Sequence, residues 1–241
     1  MKTIKTTPDI ITKYNYEPGF DIKSFEDHIF KYGSKQGVSE ADGGITTAGG
    51  GGDPHNWPSL VPFLDWLQPK VKVCLEDWDI LYDHVYVSMS WANKHTHGSW
   101  TKPHEHGGTS VVASIYVKQP ELGGNILFER LLRDRWTSYS RISGAVLGVD
   151  RETIHDYWQE VTVEQNDVVL FPGWITHKTQ PNANVSENRI VFTINFIAVT
   201  SSIPKEIETT TYGDEELGSF RESQIEHPEP PRPQLEGNMN L

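Results

Sequence analysis

The chain has 241 residues and a mass of 27.3 kDa, is 36% hydrophobic and 22% charged, and carries a formal net charge of −12. With 8 Trp, 9 Tyr and 9 Phe it has the material for one domain with a core, which excludes a disordered polymer, and its acidity argues against a protein that grips phosphate backbones. The single cysteine, Cys74, excludes an intrachain disulfide, and no apolar run reaches the length that spans a bilayer.

Met1–Lys13 lacks the apolar block of a signal peptide, so the expected setting is reducing and cytoplasmic, with Cys74 a buried, inert thiol. A first helix is expected over Ser24–Tyr32, capped by Ser24, with Phe25, Ile29 and Phe30 at helical spacing. Gly43–Asp53 is glycine-rich but has neither a lysine–serine ending nor a flanking strand, so it reads as a mobile surface loop able to serve as a lid. Pro58–Trp78 reads as a second helix, apolar at Leu60, Phe63, Leu64, Leu67 and Val71 and interrupted at Pro69.

From Tyr82 the pattern changes to strands. His84–Trp91, Val111–Lys118, Asn125–Glu129, Val146–Val149, Trp158–Val163, Asp167–Phe171 and Ile190–Ala198 are short, rich in β-formers and separated by glycine, proline and asparagine. The expected fold is mainly β with supporting N-terminal helices, a jelly-roll or other double-sheet barrel. Residues 1–80 would support a core at 81–200, and 201–241 form an acidic, proline-rich tail.

Five of the ten histidines fall between His84 and His106. In an extended stretch, residues two apart share a face, so His104 and His106 can address one ion. His177, after Phe171-Pro172, can add a third ligand from a distant strand. Imidazole suits iron, copper, zinc and nickel alike, so the ligand type does not choose the metal. Strand geometry aims Glu105 to the opposite face and favours His106 as the third ligand. Glu105 or another carboxylate in that place, or a two-ligand site with His106 behind it, stays open. His155-Asp156 reads as a loop pair, His95 and His97 as solvated loop histidines or as residues lining the entrance, Trp100, Trp136 and Trp174 as core or rim packing or a substrate wall, and Arg130, Arg133, Arg135 and Arg141 as a charged surface stretch or an attractor of an anionic substrate. No nucleophile-and-base arrangement appears, and Ser140 and Ser143 have no elbow context.

In order, the chain presents Trp91-Ala92-Asn93, His104-Glu105-His106, the strand Val112–Val117, Phe171-Pro172, His177, and Arg189 opening a strand that reaches Asn195. In these motifs it resembles the 2-oxoglutarate/Fe(II)-dependent oxygenase superfamily, in particular oxygenases encoded in phage and marine bacterial genomes. The resemblance spans roughly Val85 to Ala198. It implies a double-stranded β-helix (a jelly-roll, cupin-like barrel), Fe(II) as cofactor, 2-oxoglutarate and O2 as co-substrates, and hydroxylation of a substrate the sequence does not identify. A phage-encoded protein would be made in the host cytoplasm. The superfamily usually has a carboxylate where this chain has His106.

By the same resemblance Arg189 would pair with the distal carboxylate of 2-oxoglutarate. Tyr116 would add a hydroxyl there or simply pack in the core, and Asn93 would bind the chelating end or serve as a turn residue. No catalytic group beyond the metal ligands is expected. One rival reading is a cupin-type metalloenzyme without 2-oxoglutarate. Its first motif wants a glutamate where this chain has Ser110 and Val111. The other rival is a non-enzymatic jelly-roll module for binding or for a virion, in which the histidines would not converge. No membrane or nucleic-acid partner is expected, and the oligomeric state is not readable.

Overall fold

A computed structural model describes residues 10–35, 39–40, 44–129 and 158–200. The strand expected at Val146–Val149, His155-Asp156, Trp136, Ser140, Ser143, the arginines at 130, 133, 135 and 141 and the 201–241 tail lie outside the described residues. In chain order the elements are β1 (Thr12–Asn15), α1 (Ile22–Tyr32), β2 (Ser39–Glu40), β3 (Ile45–Thr46), α2 (Val61–Asp77), β4 (His84–His95), β5 (Trp100–Thr101), β6 (Val111–Lys118), β7 (Ile126–Glu129), β8 (Trp158–Val161), β9 (Asp167–Pro172), β10 (His177–Thr179) and β11 (Arg189–Val199).

A major sheet runs β1-β9-β6-β11-β4-β3 and a minor sheet runs β10-β7-β8, with every pairing antiparallel. Alternation along the central strands sends successive side chains to opposite faces of the major sheet. Ala113, Ile115, Leu170, Phe192 and Ile194 point outward and pack under Phe25, Ile29, Leu64, Leu67 and Val71 of the two helices. Val112, Tyr116, Val169, Phe171 and Val191 point inward and meet Ile126 and Phe128 of the minor sheet. Two sheets thus enclose one core while the helices cover the back of the larger one, which is the double-stranded β-helix with N-terminal helical support.

Local chemistry moves several boundaries. Asp21, not Ser24, caps α1: its carboxylate accepts from the Lys23 N–H at 3.1 Å, and the Ser24 hydroxyl donates to the same carboxylate at 2.6 Å. Pro69 does not interrupt α2, which runs through it for 17 residues because the buried face formed by Phe63, Leu64, Leu67, Val71, Cys74 and Leu75 outweighs one missing N–H. Cys74 is buried and its thiol is pushed up to about 11, chiefly by burial, as an inert thiol requires. The described part of the glycine-rich stretch is tied to the barrel. Ile45 and Thr46 pair with Lys94 and Asn93, and the Thr47 N–H donates to the Ala92 carbonyl at 3.0 Å.

Candidate metal and co-substrate site

The site lies in a cavity of about 340 Å³ between the two sheets, with Thr46 and Ala48 among its lining residues. His104 and His177 are brought together by main-chain pairing, each N–H donating to the other's carbonyl at 3.0 Å, so His104 extends the edge of the minor sheet. On the other side of His177, β10 pairs with β7, which sets His177 opposite Phe128. His106 is anchored by its N–H to the Gly173 carbonyl at 2.8 Å. Gly173 leaves room for this turn: a Cβ there would stand 2.3 Å from the Thr109 carbonyl oxygen and 2.7 Å from that of His106. His-x-His therefore sits in an extended, bridged segment rather than a continuous strand, yet residues two apart still share a face.

One ring nitrogen from each of His104, His106 and His177 lies within 4.8 Å of the other two. Each Nδ1 faces an oxygen acceptor: His104 the Lys102 carbonyl at 2.8 Å, His177 the Ile175 carbonyl at 3.1 Å, and His106 the Asn195 Oδ1 at 2.7 Å. A carbonyl oxygen can only accept, so each Nδ1 carries the proton and each Nε2 is left with its lone pair. Nε2 of His104 and of His106 are 3.1 Å apart. Two acceptors facing each other at that distance repel unless a cation lies between them.

Burial, the largest cause in each case, holds all three imidazoles below their ordinary range. It takes His106 to about 4 and His177 well down, and His177 is lowered further by the two neighbouring histidines. They are therefore neutral near pH 7, the state in which imidazole binds a metal. Trp91 stacks on His106 at 5.5 Å and Phe171 meets His177 edge-on at 4.6 Å. Glu105 also lines the cavity, but its carboxylate accepts from the Thr176 hydroxyl at 2.7 Å and it is not part of the three-ring cluster.

Deeper in the barrel, Arg189 is fully buried. Its Nη1 donates to the carbonyls of Gly123, Gln180 and Gly124 at 2.6, 3.0 and 3.3 Å, and its Nη2 donates to the Thr179 hydroxyl at 2.9 Å. Gly124 has φ +82° and room for no Cβ, which would meet the Pro181 carbonyl at 2.6 Å and Nη1 of Arg189 at 3.1 Å. Nε of Arg189 and the Tyr116 hydroxyl have no hydrogen-bond partner among the described residues, although both are buried. Burial pushes Arg189 down to about 10 and Tyr116 upward, so the guanidinium keeps its charge and the phenol its proton near pH 7. A buried cation and a buried hydroxyl with unused donors suit a carboxylate.

Asn93 lies on β4, not in a turn, and lines the same cavity as the three histidines. His95, read from sequence as a loop or entrance residue, is instead buried on the same strand and lines that cavity. The signal was the alternation Met89, Trp91, Asn93, His95, which continues beyond the β-formers. Asn195 was seen only as a strand ending, and nothing in its spacing marked it as the partner of His106. His97 and Trp174 are exposed. The rings converge, unlike those of the inert jelly-roll module considered above.

Residues 89–195 match the family described as "Putative 2OG-Fe(II) oxygenase". No curated protein matches the sequence. The fold is similar to a Pseudomonas putida prolyl-4-hydroxylase, at a TM-score of 0.50 and 11% identity over 79% of this chain and 93% of that one. HygX from Streptomyces hygroscopicus, solved with nickel and 2-oxoglutarate bound, is 15% identical over 78% and 82%, with a TM-score of 0.42. A viral collagen prolyl hydroxylase from Paramecium Bursaria Chlorella virus-1 is 14% identical over 79% and 97%, with a TM-score of 0.43. Over residues 89–195, where barrel and motifs coincide, the chain is similar to the 2-oxoglutarate/Fe(II)-dependent oxygenases, a family with Fe(II) as cofactor and 2-oxoglutarate as co-substrate.

Proposed function

We propose that His104, His106 and His177 hold Fe(II) through their Nε2 atoms and that the enzyme hydroxylates an organic substrate with O2 while 2-oxoglutarate is decarboxylated to succinate. The observation that carries this reading is the 3.1 Å approach of two Nε2 lone pairs whose Nδ1 atoms are already committed to oxygen acceptors. Fe(II), when bound, supplies the redox chemistry that couples oxidative decarboxylation of the keto acid to oxidation of a C–H bond.

The protein's own groups bind, orient and exclude water. Arg189, fixed at Nη1, offers Nε and the remaining hydrogen of Nη2 to the distal carboxylate, and the Tyr116 hydroxyl donates to the same group. Asn93, inward on β4, is placed to bind the chelating end of the keto acid. Ile126 and Val191 give the cavity apolar walls, and Trp91 keeps water from one face of His106.

The test is anaerobic reconstitution with Fe(II), then addition of 2-oxoglutarate while the visible spectrum is recorded. A weak new charge-transfer band in the wild-type protein, and its loss at the same concentrations in Arg189→Ala with iron still bound, is the expected result. Iron uptake with no band on adding the keto acid overturns the co-substrate assignment. Absence of iron uptake overturns the metal assignment.

A further inference from the structure

The same end of the barrel holds a third buried polar atom without a partner among the described residues, Nδ1 of His95. His95 faces Arg189 directly across the β4–β11 ladder, where opposed Cβ atoms lie about 5 Å apart, and it lines the same cavity as Asn93 and Thr179. The ring is held from one side only, with Nε2 2.8 Å from the Thr101 hydroxyl. Thr101 in turn gives its main-chain N–H to the Thr179 hydroxyl at 2.9 Å, and that hydroxyl also takes Nη2 of Arg189. His95, Thr101, Thr179 and Arg189 thus form one connected set with a free nitrogen at each end, Nδ1 of His95 and Nε of Arg189. Leaving two such nitrogens desolvated and unpaired is costly, and a single acceptor that reached both would remove the cost at each.

We propose that His95 is a further anchor for the co-substrate: its Nδ1–H donates to the distal carboxylate of 2-oxoglutarate beside Arg189, while the Thr101 hydroxyl donates to Nε2 and fixes that tautomer. This rests on the co-substrate reading above. Burial and then the nearby Arg189 charge hold the imidazole well below its ordinary range, so it acts as a neutral donor rather than as a second cation.

Two near-isosteric variants separate this role from core filling. The amide nitrogen of His95→Asn takes the place of Nδ1, and that of His95→Gln takes the place of Nε2. Calorimetric titration of 2-oxoglutarate into anaerobic Fe(II)-loaded protein should find His95→Asn within about threefold of wild type and His95→Gln about tenfold to a hundredfold weaker. Pyruvate, a 2-oxo acid with no distal carboxylate, should bind both variants as it binds wild type. The opposite order, or wild-type affinity in both, overturns the proposal, and so does equal loss of 2-oxoglutarate and pyruvate, which would mean the residue only shapes the recess.

The wild-type protein gives an independent reading if a variant fails to fold. With Zn(II) in place of iron, a hydrogen-bonded Nδ1 proton of His95 should appear in the nitrogen-15 histidine spectrum when 2-oxoglutarate is added, and its absence counts against the contact. Failure of the wider reading looks different: wild type then takes no 2-oxoglutarate, or Arg189→Ala binds it as tightly, and the role of His95 falls with it.

Discussion

Asn195 decides which nitrogen of His106 is available. Its amide oxygen, 2.7 Å from Nδ1, holds the proton there and turns Nε2 toward the other two rings. It stands at the irregularity between Asn195 and Phe196 in the β11–β4 register, where Ser88 is the extra residue on the facing strand. Asn195→Ala should weaken Fe(II) about tenfold to a hundredfold in an anaerobic competition titration, leaving three histidines in place but one ring free to flip. An unchanged affinity would show that the packing of Trp91 alone fixes the ring. His177→Ala removes a ring outright, and its iron content after desalting should fall to background; full occupancy would take His177 out of the ligand set.

Gly173 does at the level of an element what Asn195 does at the level of an atom. The turn between β9 and β10 passes so close to Thr109 and His106 that a methyl group cannot enter without moving one carbonyl or the other. Gly173→Ala should therefore cost about 1–3 kcal/mol in chemical denaturation and weaken metal binding as well, since the turn anchors His106 through the Gly173 carbonyl and leads into His177. Lost stability with unaltered metal affinity would show that the turn is a scaffold for β9 only.

Elements were legible where pattern was strong. The alternation of Val111–Lys118 gave β6 to the residue, and the apolar face of α2 was plain. Strand β4 runs four residues past Trp91 because β11 pairs with Ala92, Asn93, Lys94 and His95, none a strong β-former, and pairing partners distant in sequence leave no local trace. Hidden with them was the inward aim of His95. Strands of two or three residues, such as β3, β5 and β10, are too short for a period to show.

At the scale of the molecule, burial holds five imidazoles below their ordinary range, those of His28, His95, His104, His106 and His177. The unfolded chain binds protons on these groups near the ordinary value of 6.5, whereas the folded chain does not, so stability is full above that pH and declines as pH falls toward 4. Metal-free protein should show a denaturation midpoint that is nearly level from pH 7.5 to about 6.5 and drops from there to pH 5, and a flat profile throughout would mean these rings are already hydrated or charged in the fold. The three histidines that converge, and Arg189 as a residue to watch, could be picked out from the order of the motifs. The unpaired buried atoms near Arg189 could not, since an absent hydrogen bond leaves no mark in a sequence.

Nη1 of Arg189 is bound to three carbonyl oxygens from two loops, so the guanidinium is immobile whether or not a ligand is present. The rotamer entropy of an arginine, about 2 kcal/mol, is thereby lost when the chain folds rather than when the co-substrate arrives. In the binding mode proposed above, the keto acid would meet a preset receptor. Its association should then be governed by entry into the cavity, not by a search for the right arginine conformation.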